Sequence, residues 1–238
     1  MKLTYLSHSC VFVETSSHKL IIDPFLTGNG KAQVKADDVE CDFVLVTHGH
    51  FDHVGDAVEI AKRNDATIIS SYEVADYLAQ KKVKTHGMGL GGAFQFPFGR
   101  VKLTIAFHSA GYAPGGEPVK PVPLTDGHFI YLGNPAGMLI TADGKTIYHA
   151  GDTALTLEMK LIGEMNNIDV AFLPIGDNFT MGADDAAMAA EFLKCRLAVP
   201  IHYNTFDLIK ADPNAFVQKV EARGLRAQAL GIGESIEL

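Results

Sequence analysis

The segment Thr47-His48-Gly49-His50-Phe51-Asp52-His53 constrains this 238-residue chain more than any other feature. Four residues able to bind metal, His48, His50, Asp52 and His53, fall within six positions. The run Asp42–Thr47 before them reads as a strand covered on both faces. Behind them, Val54, Ala57, Val58 and Ala61 share one face of a helix expected over Val54–Arg63. A strand that ends before a helix is where α/β folds tend to place ligands. His48 and His50, two apart in extended chain, project to the same side. Asp52 and His53 fall at the turn into the helix, and Gly49 lets the backbone bend closely round an ion. Packing demands no such cluster. A metal does, and imidazole with carboxylate suits zinc, iron, manganese or nickel.

The surrounding pattern supplies the frame. Lys2–Leu6, Cys10–Glu14 and Lys19–Asp23 are short β-rich runs, and Ala66–Ser70 is another before a helix over Tyr72–Ala79. Arg100–Phe107 alternates, which predicts that Val101, Leu103, Ile105 and Phe107 point inward. Gly137–Thr141 and Lys145–His149 read as a hairpin around Asp143-Gly144. Helices over Leu155–Met165, Asp184–Lys194 and Pro213–Arg223 then alternate with strands at Asp169–Ile175 and Leu197–His202. Strands and helices in both halves imply two packed sheets with helices outside. No linker-like stretch divides the halves, so one domain over residues 1–238 is expected. The Gly- and Pro-rich stretch from Gly111 to Pro123 breaks the pattern and reads as a surface loop or a flap over a site.

Two ions need more ligands than the first segment holds. His108, Asp152 and His202 each follow a later predicted strand, so all three fall at one topological position. Together with His48, His50, Asp52 and His53 they complete two sites, with Asp152 able to bridge them. The formal charge of −8, from 20 basic and 28 acidic residues, argues against nucleic-acid and membrane partners, which need clustered Lys and Arg. No apolar run is long enough to span a bilayer, and the N-terminus reads as a first strand and not as a signal peptide. Cys10, Cys41 and Cys195 form no CxxC pair and no disulfide framework. They read as buried core residues of a protein in a reducing compartment, the cytoplasm. A homo-oligomer is compatible with the sequence, which does not encode the oligomeric state visibly.

The motif HxHxDH, followed by separate His, Asp and His, resembles the metallo-β-lactamase superfamily over almost the whole chain. The resemblance implies an αββα four-layer sandwich with the metals at one edge of two sheets. It implies that His48, His50 and His108 hold one ion, Asp52, His53 and His202 the other, and that Asp152 lies between. Gly133-Asn134-Pro135-Ala136-Gly137, Gly151-Asp152-Thr153, Leu173-Pro174-Ile175-Gly176-Asp177-Asn178 and His202-Tyr203-Asn204-Thr205-Phe206 are similar to a group of bacterial metal-dependent hydrolases related to ascorbate-6-phosphate lactonases. Diiron flavoprotein oxidases of that fold carry Glu where this chain has His50, which disfavours oxygen reduction. Metallo-β-lactamases proper often bring a Cys ligand to the second metal, and here that position is Asp152.

The expected chemistry is hydrolysis of a small ester, lactone or related acyl bond by hydroxide held on two divalent ions, zinc first, with Mn2+, Fe2+ or Ni2+ also suited. A phosphodiesterase or nuclease on the same metals is the alternative, weakened by the few Lys or Arg near the motifs. A non-catalytic scaffold that keeps its metals for stability is a third reading, opposed by the complete ligand set. Asp52 is the expected proton shuttle. His8, in Ser7-His8-Ser9, is the leading outer-shell or substrate-contact histidine. Asp23 either orients a ligand histidine or, more simply, caps a turn. Asn178 and Tyr203 carry neutral donors for an oxyanion, and His149 is expected to pack behind Asp152. His18, His86 and His128 are read as surface or structural.

Overall fold

The computed structural model describes residues 1–112 and 130–238, and the counts below refer to these. Chain order is β1 Lys2–Ser7, β2 Cys10–Glu14, β3 Lys19–Ile22, β4 Phe43–Leu45, α1 Phe51–Val54, α2 Ala57–Asn64, β5 Thr67–Ser71, α3 Tyr72–Ala79 and β6 Lys84–Met88. It continues with β7 Ala93–Phe96, β8 Gly99–Ile105, β9 Gly111–Tyr112, β10 Ile130–Tyr131, β11 Ala136–Ala142 and β12 Lys145–His149. The last elements are α4 Glu158–Met165, β13 Val170–Pro174, α5 Ala183–Leu193, β14 Leu197–Ile201, α6 Pro213–Glu221 and β15 Ser235–Glu237.

Two sheets form. The first has seven strands in the order β15-β1-β2-β3-β4-β5-β6, the second six in the order β14-β13-β12-β11-β8-β7. Adjacent residues of one strand serve different layers. Leu20 and Ile22 of β3 join the cluster between the sheets, with Val101, Leu103, Met138, Ile140, Phe172 and Val199 opposite. Ile21, between them, turns outward onto Ile60, Ala61, Val74 and Leu78 of α2 and α3. On the other outer face, Tyr148, Ala171 and Leu173 pack under Met159, Ala187, Ala190, Leu193 and Phe216 of α4, α5 and α6. The layers therefore run helix, sheet, sheet, helix, the expected αββα sandwich. Burial on both faces is why Asp42–Thr47 and Asp169–Ile175 read as unbroken apolar runs.

Strand direction places the site. β1 and β3 are each antiparallel to β2, and β3 pairs parallel with β4, so β1, β3 and β4 run the same way. β8 and β12 are each antiparallel to β11, and β12, β13 and β14 are parallel, so these four also agree. The segments after β1, β3, β4, β8, β12 and β14 thus emerge at one edge. Hydrogen bonds tie the two sheets together there, three of them to backbone carbonyls. Ala136 N–H donates to the Thr47 carbonyl at 3.1 Å, His202 N–H to that of His8 at 2.8 Å, and His149 Nε2 contacts that of Ser9 at 2.9 Å.

Several expectations need correction. The helix over Val54–Arg63 is two helices, because Gly55 turns at φ 38° where a Cβ would lie 2.3 Å from the Pro24 carbonyl. Ile60 fills the core there, while Val58 is only half-buried. β8 stops at Ile105, which is 46% exposed, and Phe107 is 73% exposed. The alternation was real as far as Leu103 and then failed, since Ile105 is the last paired residue of β8 and the chain leaves the sheet after it. Gly49 serves packing and not a tight bend: its φ is not positive, and a Cβ would meet the Leu132 side chain at 2.8 Å. β6, β7, β9, β10 and β15 escaped the sequence reading. Of the Gly111–Pro123 stretch, Gly111–Tyr112 pairs with Ile130–Tyr131, and the remainder, like His128, lies outside the described residues.

Candidate metal centre

The strand ends deliver their side chains through unusual backbone. His8, Asp23 and His202 all turn through the left-handed region, at φ 56°, 46° and 55°. Such conformations are uncommon outside glycine and are held here by the surrounding structure. Gly151, at φ 61°, makes the equivalent turn before Asp152, where a Cβ would lie 2.8 Å from the Ala136 carbonyl.

All seven expected ligands converge. One group is His48, His50, His108 and Asp152; the other is Asp52, His53 and His202, joined by His8; within each, the ligand atoms lie within 4.8 Å of one another. His48 Nε2 is 2.9 Å from His50 Nδ1, which is 3.3 Å from His108 Nε2. Asp152 Oδ2 lies 3.0 Å from His202 Nε2, 3.3 Å from His53 Nε2 and 3.6 Å from His108 Nε2. This carboxylate therefore faces members of both groups. Asp52 Oδ2 lies 3.1 Å from His8 Nε2 and 3.7 Å from His202 Nε2.

Electrostatics point the same way. Burial, first of all, pushes His48, His50 and His108 down, His50 to about 4, so they are neutral with lone pairs to offer. Burial opposes charge on Asp52 and Asp152 too, but the histidines around them hold both well below the usual carboxylate range. Burial, the largest single cause, likewise lowers His53 and His202, yet the carboxylates beside them, Asp152 with Asp23 for His53 and Asp152 with Asp52 for His202, together outweigh it and push both up, His202 to about 9. Two ionised, buried carboxylates thus call for positive charge between them.

The residues fit a metal by a second measure. His53 Nε2, both ring nitrogens of His202 and Asp152 Oδ1 are buried without a hydrogen bond. Each such group costs about 1–3 kcal/mol if nothing satisfies it. A carboxylate only accepts, so Asp23 Oδ2, 2.8 Å from His53 Nδ1, fixes a proton there, and Nε2 is the nitrogen turned toward the cluster that would give up its proton to a metal. Asp23 also accepts from Thr47 N–H at 2.8 Å and Thr47 Oγ1 at 2.7 Å. Of the two expected roles, the side chain of Asp23 therefore fits that of orienting His53, and not that of capping a turn.

Not every expected residue arrives. Asn178 is exposed in the loop after β13, and among the described residues no hydrogen bond joins it to the cluster. Tyr203 is half-buried and packs against the helices of the second sheet. His149 sits behind Asp152 as expected, accepting from Gly151 N–H at 3.2 Å through Nδ1. His18 packs on Phe43 and Phe98, and His86 on Phe94 and Phe96. Thr205 was missed: its hydroxyl is 2.6 Å from His8 Nδ1. A lone Thr three residues after a ligand carries no pattern of its own.

Comparison with known proteins agrees with this geometry. The profile of the Beta-lactamase superfamily domain matches residues 18–203. Over 238 residues, all of both chains, this one is 56% identical to a UPF0173 metal-dependent hydrolase of Anoxybacillus flavithermus. A UPF0173 metal-dependent hydrolase of Geobacillus sp. is also 56% identical over 100% of both chains. Igni18, a metallo hydrolase from the archaeon Ignicoccus hospitalis, superposes with a TM-score of 0.86 at 38% identity, over 99% of this chain and 97% of its own. An isothiocyanate hydrolase from Delia radicum gut bacteria shares the fold, with a TM-score of 0.76 at 19% identity over 100% of this chain and 99% of that one. The chain belongs to the metallo-β-lactamase superfamily and, within it, to the UPF0173 metal-dependent hydrolases.

Proposed function

We propose that this enzyme holds two divalent ions, zinc foremost, and hydrolyses a small ester, lactone or related acyl bond. The observation that carries this is the meeting of two ligand groups at one edge, with Asp152 facing both. His48, His50 and His108 would hold one ion and Asp52, His53 and His202 the other, with Asp152 shared. An ion bound there supplies a Lewis acid that polarises an acyl oxygen and lowers the pKa of water towards about 7. Asp52, ionised and at the rim of the buried cluster, receives the proton of the attacking water and passes it to the leaving group. Asp23 keeps His53 in the tautomer that coordinates. Asn178, exposed in the loop after β13, would act only toward substrate.

Among the described residues, no Lys or Arg pairs with any of the seven ligands, although Lys84, Lys145, Arg196 and Lys219 all find carboxylates elsewhere. That supports an uncharged acyl substrate over a phosphodiester, which recruits cationic side chains. The shared core between the sheets supports one domain, and three free, buried cysteines support a reducing cytoplasm.

The test is a panel of lactones, esters, thioesters, phosphodiesters and β-lactams with zinc-loaded protein. Turnover should be greatest on a lactone or ester. His50→Ala should lower it by more than about a hundredfold, beyond the effect of losing an outer-shell partner. Preference for phosphodiesters, or turnover indifferent to His50→Ala, would overturn the reading. Metal analysis of the purified protein should find about two ions per chain.

A further inference from the structure

We propose that His8 is a positioning residue for Asp52 and not a fourth ligand of the second ion, with Thr205 locking its ring. The inference rests on the metal centre proposed above. Distance alone would count His8 as a ligand, since it shares the 4.8 Å cluster of Asp52, His53 and His202. The proton inventory decides otherwise. His8 Nε2 lies 3.1 Å from Asp52 Oδ2 in hydrogen-bond geometry. A carboxylate that holds a cation only accepts, so with the centre filled Nε2 carries the hydrogen, and a protonated nitrogen has no lone pair for a metal; His53 Nε2 and His202 Nε2, near Asp152, make no such hydrogen bond. On the other side, the Thr205 hydroxyl, 2.6 Å away, donates to the bare Nδ1.

The rest of the surroundings keep this ring from turning. His8 is fully buried, and its carbonyl accepts the backbone N–H of His202 at 2.8 Å. Its ring packs on that of His202 at 4.1 Å, and Phe25 and Phe206 meet it edge-on at 5.5 and 5.4 Å. Ser7 and His8 sit at φ 116° and 56°, with a register shift between Tyr5 and Ser7, so the end of β1 is bent to aim this side chain. Rigid donors of this kind fix the direction of a ligating carboxylate and raise metal affinity through it. Thr205, His8 and Asp52 form a relay that starts on the loop after β14 and ends at the centre.

The test uses full-length protein loaded with zinc for NMR and with cobalt for visible spectra. Nitrogen-15 histidine spectra should show His8 with hydrogen on Nε2 and a bare Nδ1. A ligand bound through Nε2 would show the reverse tautomer and would overturn the proposal. His8→Leu should keep the metal stoichiometry, lower affinity and kcat by about ten- to a hundredfold, and leave KM nearly unchanged. His8→Gln, whose amide places an N–H near the Nε2 position, should recover most of that loss. Thr205→Val should weaken affinity and alter the cobalt spectrum, while Thr205→Ser should match wild type; this pair tests the relay even if His8→Leu fails to fold. Loss of one ion in His8→Leu, or wild-type affinity and spectrum in both His8→Leu and Thr205→Val, would overturn it. Wild-type protein that binds no divalent ion would instead bring down the metal reading on which this one stands.

Discussion

Asp23 shows what single residues contribute around such a centre. Its two oxygens take three donors: His53 Nδ1, Thr47 N–H and the Thr47 hydroxyl. Asp23→Asn replaces one oxygen by an NH2 that must face one of those donors. Metal affinity should fall by about ten- to a hundredfold, and stability by about 1–3 kcal/mol, read by chelator competition and urea unfolding. The cysteines make the opposite case, of potentially reactive groups made inert. Burial pushes the Cys41 and Cys195 thiols up to about 12, and Cys10 well above its usual value. The thiolate is the nucleophile, so a thiol reagent at about pH 8 should leave the native protein unlabelled and modify all three cysteines after unfolding. Rapid labelling of native protein would contradict that burial. Composition and spacing announced both the residues that could hold a metal and the buried thiols. Thr205 and the choice between two roles for Asp23 were hidden, because they depend on contacts between residues far apart in sequence.

Elements were legible where both faces or one clean face is buried. β3, β4 and β13 announced themselves by apolar runs, and α6 by Pro213 at its first position. Asp212 caps α6 by accepting the Asn214 N–H at 2.9 Å, so Asp212→Ala should cost about 1 kcal/mol while leaving turnover unchanged. β6 was invisible because it is an edge strand of Lys, Thr, His and Gly with only Met88 buried. β15 is three residues long and mostly exposed. The turn before Asp152 is the element on which the centre most depends. Gly151→Ala would press a Cβ to 2.8 Å from the Ala136 carbonyl and 3.0 Å from Thr47 Cβ at a positive φ. We expect a loss of at least about 1–3 kcal/mol in denaturant unfolding, together with weaker metal binding. An unchanged midpoint would show that the turn relaxes freely.

At the scale of the molecule, the two sheets meet over an apolar core and are pinned by polar contacts at the edge that carries the His/Asp cluster and, at the opposite edge, by Ser16, whose N–H and hydroxyl donate to Asp143 at 2.8 and 2.6 Å. Ions bound there would bridge side chains from both sheets, and binding to the folded state alone stabilises it by mass action. Removing metal with a chelator should therefore lower the melting midpoint by roughly 5–10 °C relative to protein with free metal at about a hundred times Kd. No shift would mean that the centre does not join the sheets. His149 is a metal-independent tie: Nε2–H donates to the Ser9 carbonyl, and Nδ1 accepts from Gly151. Burial lowers its pKa, so the folded state disfavours the protonated ring, and a second N–H would face the Gly151 donor. Stability from this group is present above the unfolded value of about 6.5 and declines as pH falls below it. His149→Gln should show a shallower loss between about pH 7 and pH 5 in chelated protein.

The sequence by itself determined the chemistry: which residues can bind metal, that they follow strands, and that the strands lie in covered sheets. Local pattern suffices for this, since ligand type and hydrophobic period are properties of neighbours along the chain. Only the tertiary structure decided which partner each nitrogen of His8 and His53 meets and which carboxylate faces both groups of candidate ligands. Those facts follow from the common direction of strands in two sheets and from left-handed turns at their ends. Neither has a signature in the order of residues.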